Sequence, residues 1–267
     1  MFFRRTIRTK FRGCHSITAD VTELLKETGI TEGYCTVCLP DHATGLGVTS
    51  FWDPRGLDDL MDEIDRNFPA RVNFENQQPP YDSAGRIKAA VTGDTALFLI
   101  QNGKLVLGSS QGLVLIDFDG PQERTYEVNF IAKEVKIEKH GIQTSYMGMI
   151  DLTDEIQKSV EKSGILNGIC HIAMLHSTAG LLLADRQKEY QEDLMEDIEK
   201  MVPTRADFRH RETASDAGGH VKTALTDSQL SLIVKDGGLV LSEEQAVLFA
   251  EYDGPRPRSY YTGMIRG

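Results

Sequence analysis

The sequence predicts an α+β chain made of two tandem copies of one domain, each a mixed or antiparallel sheet with two main helices. Three observations predict it. The segment Asp59-Leu60-Met61-Asp62-Glu63-Ile64 recurs 134 residues later as Asp193-Leu194-Met195-Glu196-Asp197-Ile198, and Asp119-Gly120-Pro121 recurs as Asp253-Gly254-Pro255. Near the front of each copy the offset is 135, carrying Gly29 onto Gly164 and Cys35 onto Cys170. A period this long gives each copy a core of its own. Within each copy, helical periodicity lies toward the front and a run of short strands fills the back, the segregation expected of α+β domains. The predicted domains are residues 1–132 and 133–267, with no Gly/Ser- or Pro-rich linker between them, so the two should lie close together.

Each copy opens on strand-like alternation, at Arg5 to Phe11 and at Val135 to Met147, with Gly141 read as a break. A helix follows over Thr18 to Thr28 and over Thr153 to Ser163. Val21, Leu24 and Leu25 share one face in the first copy, Ile156 and Val160 in the second, and Gly29 and Gly164 supply the stop. An apolar strand comes next, Gly33 to Leu39 or Gly168 to Leu175. After a loop, Leu57, Leu60, Met61, Ile64 and Phe68 fit a 3.6-residue period, as do Leu194, Met195, Ile198, Met201 and Val202; Pro69 and Pro203 end these helices. The remainder reads as strands: Ile87 to Val91, Ala96 to Ile100, Lys104 to Leu107, Leu113 to Asp117 and Thr125 to Phe130. Asn102-Gly103 and Asp236-Gly237 are hairpin turns between them.

A formal net charge of −11 argues against a broad nucleic-acid or anionic-membrane surface. No apolar run spans a bilayer, and the basic start lacks the apolar segment of a signal peptide. Of the four cysteines, Cys35 and Cys38 form a C-x-x-C on a strand, where that spacing points them to opposite faces. Buried free thiols in a reducing cytoplasm are the better reading, so the expected location is cytoplasmic.

The two copies differ where chemistry would lie. His176 leaves an apolar strand and is followed by Ser177 and Thr178, whose hydroxyls can donate to an anion. His210 follows the second helix, and His220 is expected to open the strand run. Under the repeat, His176 falls on Asp41, His210 on Asn76 and His220 on Arg86. Arg cannot ligate a metal, so the first copy cannot reproduce a three-histidine site. Core positions meanwhile are kept, as in Leu105-Val106-Leu107 against Leu239-Val240-Leu241. Loss of three histidines together points to one pocket in the second copy, where His176, His210 and His220 would serve as catalytic groups or as ligands of one metal ion. Asp41, Asn76 and Arg86 should line its metal-free counterpart.

The order His176-Ser-Thr-Ala-Gly-Leu, then His210, then His220-Val-Lys222, then Leu239-Val-Leu241, then Asp253-Gly-Pro-Arg256 resembles the YjbQ-like family, described as secondary thiamine-phosphate synthases. Its members are usually single copies of about this repeat's length, and the resemblance covers each half nearly end to end. It implies an α+β fold, a homotrimer and a pocket near the subunit boundary. It also implies that Lys222 and Arg256 join Ser177 and Thr178 in binding the anion. The chain departs from the family at Ala184-Asp185-Arg186, where an Asn-Glu-Asn stretch is usual, and at Glu244-Gln245, where Trp-Gln is usual.

The function so implied is a thiamine-phosphate-synthase-like transferase acting on phosphorylated pyrimidine and thiazole metabolites. Two alternatives stand beside it: a metal-assisted phosphate-ester hydrolase, and a non-catalytic metal- or metabolite-binding assembly protein. Histidine ligands favour Zn²⁺, Ni²⁺ or Fe²⁺, whereas diphosphate departure in the transferase would call for Mg²⁺. The expected partner is a small phosphorylated metabolite, with no nucleic acid and no membrane.

Overall fold

The computed structural model describes residues 1–50, 52–70, 74–75, 82–205 and 207–267. In the first copy the order is β1 (Phe2–Arg8), β2 (Gly13–Ser16), α1 (Thr18–Thr28), β3 (Glu32–Cys38), β4 (Thr44–Ser50), α2 (Pro54–Asn67), α3 (Asp82–Thr92), β5 (Thr95–Gln101), β6 (Lys104–Leu105), β7 (Gln111–Asp117) and β8 (Glu123–Ala132). The second copy repeats it: β9 (Val135–Gln143), β10 (Gly148–Asp151), α4 (Thr153–Ser163), β11 (Gly168–Met174), β12 (Ala179–Asp185), α5 (Lys188–Met201), α6 (Asp216–Thr226), β13 (Gln229–Lys235), β14 (Gly238–Leu239), β15 (Gln245–Glu251) and β16 (Pro257–Arg266).

Strand order is the same in both. A five-stranded sheet β1-β8-β3-β5-β6 faces a three-stranded sheet β2-β7-β4 in the first copy, and β9-β16-β11-β13-β14 faces β10-β15-β12 in the second. Every pairing among the described residues is antiparallel. The core of each copy sits between its two sheets and its first helix. Val21, Leu24 and Leu25 of α1 meet Cys35, Val37, Phe98 and Val128; Ile156 and Val160 of α4 meet Cys170, Ile172 and Phe249. Alternating burial along β3 buries Cys35 and leaves Cys38 half-buried, as strand pleating requires, and both thiols are free.

The expected local signals appear in the backbone. Gly29 and Gly164 end α1 and α4 in the left-handed conformation, φ 68° and 69°. Asn102-Gly103 and Asp236-Gly237 both carry positive φ at their two residues, the signature of a tight hairpin turn. Three expectations need correction. Ile87 to Val91 belongs to helix α3, not to a strand, and its counterpart α6 carries His220. Among the described residues each copy therefore has three helices rather than two main ones. The loop after the apolar strand contains a further strand, β4 or β12. Gly141 does not break β9, which pairs with β16 straight through it.

The two copies share an apolar interface. Leu60, Met61 and Ile64 of α2 cluster with Val202, Phe208, Ala217 and Val221 of the second copy, and Leu99 and Val106 cluster with Ile265. Ionic contacts rim the first of these. Asp59 accepts from the backbone N–H of Arg209 and His210, and Glu63 pairs with Arg205. No helix among the described residues is long and apolar enough to cross a membrane.

Candidate metal centre at the domain boundary

Two elements present the second copy's histidines. Asp216 and His220 stand four residues apart in α6 and so share one helical face, whereas Lys222 lies about 200° round the helix from His220. That face approaches the loop after β11 closely because Gly219 has no side chain. A Cβ there would lie 3.1 Å from the Cβ of Thr178. His210 reaches the same place from the segment between α5 and α6, which Asp59 of the first copy clamps by its backbone.

The hydrogen bonds of each ring fix its tautomer. His210 Nδ1 lies 2.8 Å from Asp53 Oδ2 of the first copy, and His220 Nδ1 lies 2.8 Å from the carbonyl oxygen of Ser177. Both acceptors require a proton on Nδ1, so in the neutral ring the lone pair lies on Nε2. Nε2 of His210 is buried and makes no hydrogen bond to any described residue, and Asp216 Oδ2 is 3.3 Å away. The ligand atoms of His210, Asp216 and His220 all lie within 4.8 Å of one another, and the two rings are 5.2 Å apart by their centroids. Burial holds the His220 pKa below its ordinary value, which favours the neutral ring. The hydrogen bonds from Arg55 and then His210 hold Asp53 well below the usual carboxylate range.

His176 plays a different part. It lines the same cavity of about 300 Å³ as His210 and His220. Its Nε2 accepts a hydrogen bond of 2.9 Å from the backbone N–H of Ser259, which places its own proton on Nδ1. Burial, reinforced by the nearby Arg258 guanidinium, lowers its pKa to about 4. It is a neutral wall residue and stands outside the group of ligand atoms formed by the other two histidines. The three histidines do not bring their ligand atoms together; the group that lies together is His210, Asp216 and His220.

The expected anion contacts divide as well. Ser177 and Thr178 line the cavity; Ser177 Oγ is 3.2 Å from Ser110 Oγ of the first copy, and Thr178 Oγ1 accepts from Arg258 at 3.0 Å. Arg256 lines the rim, half-exposed, braced by Asp253 at 2.6 Å. Lys222 does not reach the cavity. It is fully buried, and its ammonium is paired with Glu199 and Thr204. Burial is the main influence on its pKa and lowers it, against the opposing pull of Glu199.

Sequence reasoning missed Asp216, Asp53, Ser110, Trp52 and Arg258. The Asp216–His220 spacing is a signal once the segment is seen as a helix. Asp53, Trp52 and Ser110 come from the other copy, and no local pattern marks them. In the first copy, Asp41 is engaged by Arg124 at 2.8 Å, Arg86 is exposed on α3, and Asn76 lies outside the described residues. A larger open groove of about 430 Å³ lies beside α4, β9 and β16, but its lysines are committed: Lys162 to Glu138 and Lys136 to the Ser163 carbonyl.

The profile of the UPF0047 protein YjbQ-like family matches residues 4–133 and 138–267. The chain belongs to that family, as two copies in tandem. It is 32% identical over 118 residues to a UPF0047 protein of Methanocaldococcus jannaschii, a match covering 44% of this chain and 84% of the relative. It is 30% identical over 109 residues to the UPF0047 protein YugU of Bacillus subtilis, covering 41% and 82%. A YbjQ-like protein of unknown function from Sulfolobus solfataricus P2 has a similar solved structure, with 27% identity, a TM-score of 0.48, and coverage of 50% of this chain and 99% of that one. The thiamine-phosphate-synthase expectation is corrected by these findings. The matched relatives carry only the UPF0047 family name, a solved one is described as of unknown function, and nothing among them supports that activity.

Proposed function

For this tandem UPF0047 chain, we propose that the second domain is a divalent-metal centre that takes a small anionic ligand. The observation that carries the reading is the buried Nε2 of His210, which faces the carboxylate of Asp216 with no hydrogen bond between them. A lone pair held against a carboxylate oxygen in a buried site is repulsive, and either a proton or a metal cation between the two relieves it. The lone pair on His220 Nε2 completes the set. Two imidazoles and one carboxylate suit Zn²⁺, Ni²⁺ or Fe²⁺ better than Mg²⁺. Ligands about 2.1 Å from zinc in a tetrahedron stand roughly 3.4 Å apart, so small side-chain movements from the 4.8 Å spread would close the site.

Three protein ligands leave a position for water or a ligand, which is the arrangement of a Lewis-acid site. Arg256 at the rim, the hydroxyl of Ser177 and the Nδ1–H of His176 supply donors for an anionic group around that position. Removal of metal by chelator, followed by titration of the full chain with Zn²⁺, Ni²⁺ or Co²⁺, tests the reading. One ion per chain is expected, lost in His210→Ala and in His220→Ala and retained in His176→Ala. A wild-type chain that binds none of these ions, or histidine variants that bind as well as wild type, would overturn it. Enzymatic turnover is a separate question, decided by whether the metal-loaded protein converts small anionic metabolites.

A further inference from the structure

We infer that Asp53 is a positioning residue for the metal ligand His210, so that the two copies are complementary halves of one site. The inference rests on the metal-binding reading and names what the first copy contributes to it. Asp53 divides its two oxygens. Oδ1 accepts from the backbone N–H of Arg55 at 3.0 Å and caps α2; Oδ2 receives the Nδ1–H of His210 at 2.8 Å. Arg55 Nε lies 3.0 Å from both oxygens and helps hold the carboxylate in place. His210 is buried, so the proton on Nδ1 has this one carboxylate as its partner among the described residues.

The consequence is directional. A carboxylate has only acceptors, so it keeps the proton on Nδ1 and the lone pair on Nε2, where the metal would bind. At the start of α5, the equivalent position in the second copy is Gln187, which makes no side-chain cap. The specialisation is therefore reciprocal. The second copy carries the histidine ligands and lacks this acid; the first carries the acid and lacks the histidines. Neither copy holds both halves.

Asp53→Asn isolates the effect. Asn caps a helix as well as Asp does, so α2 retains its start. With Oδ1 committed to the cap, however, the Asn side chain turns its NH₂ toward His210. A donor there moves the imidazole proton to Nε2 and removes the metal-binding lone pair. We expect Zn²⁺ affinity to fall about 10- to 100-fold with an unchanged circular dichroism spectrum. In the metal-free protein, ¹⁵N shifts of the His210 ring should show the protonated nitrogen switching from Nδ1 to Nε2. Asp53→Ser, which keeps a capping oxygen but removes the carboxylate, should weaken Zn²⁺ binding as well. Wild-type affinity in both variants, or a ring that stays protonated on Nδ1 in Asp53→Asn, would overturn the inference. A wild-type chain without zinc affinity would overturn the metal reading instead, and the ring-nitrogen comparison would still decide whether Asp53 sets the tautomer.

Discussion

Arg124 Nη1 donates to Asp41 Oδ2 at 2.8 Å, and this contact ties down the first copy's counterpart of His176. Asp41 stands where the second copy has His176. Arg124 also grips Asp117 with two bonds of 2.9 Å, so both carboxylates there are already engaged. Its counterpart Arg258 instead holds Glu251 and the hydroxyl of Thr178, leaving the His176 ring to face the cavity. From this follows a stoichiometric prediction. Restoring histidine at two positions, in Asp41→His with Arg86→His, should leave metal binding at one ion per chain, because no Asp53-like acid or His210-like ring is added. Two ions per chain in a metal-content assay would show that a site forms in the first copy without a His210-like ring or an Asp53-like acid.

Lys222 and Glu199 give an asymmetric prediction. The ammonium is fully buried, whereas the Glu199 side chain remains about a third exposed. Removing the glutamate strands a buried cation, a defect of about 3–5 kcal/mol. Removing the lysine leaves a carboxylate that water can reach, which costs far less. Glu199→Ala should therefore lower denaturant stability more than Lys222→Met does. Metal affinity should stay within about threefold of wild type in Lys222→Met, because the side chain points away from the site. Equal losses of stability, or loss of the metal in Lys222→Met, would contradict this account.

What could be read in advance was local. Gly29, Gly164 and the two hairpin dipeptides need particular backbone angles, so single residues announce them. The third helix of each copy did not announce itself. Asp216-Ala-Gly-Gly-His220 has two glycines that disfavour a helix, and tertiary contact overrides that preference, since Gly219 is the price of bringing α6 against Thr178. Asp216 was lost with the helix. The histidines stood out because the sister copy lacks them. Asp53 and Ser110 act across the copy boundary, more than 65 residues from their partners in sequence, and only packing reveals such pairs.

His171 makes stability depend on pH. It is completely buried on β11, with Nδ1 2.8 Å from Ser231 Oγ and Nε2 2.7 Å from Gln229 Oε1. Burial lowers its pKa to about 4, from 6.5. The unfolded chain therefore takes up a proton between pH 6.5 and 4 while the folded chain does not. Stability from this group is fully present above pH 6.5 and is lost as pH falls toward 4, by up to about 3 kcal/mol. Urea denaturation across pH 4–7 should show a slope that flattens in His171→Gln. An unchanged slope in that variant would assign the acid sensitivity elsewhere.

Ile64 tests whether the two copies fold as one unit. It is buried on α2 in the cluster that also contains Val202, Phe208 and Val221 of the second copy. Its truncation therefore opens a cavity in a core that belongs to both domains, and Ile64→Ala should cost about 2–5 kcal/mol. Because the cluster joins the copies, the whole denaturation curve should move to lower denaturant as a single transition. Leu24→Ala, within the first copy's own core, should do the same if the interface couples the domains. Two resolved transitions in either variant would mean that each copy unfolds alone. The cross-boundary contact between Asp53 and His210 would then be lost well before the second copy's own core, and metal binding would fail at the lower of the two midpoints.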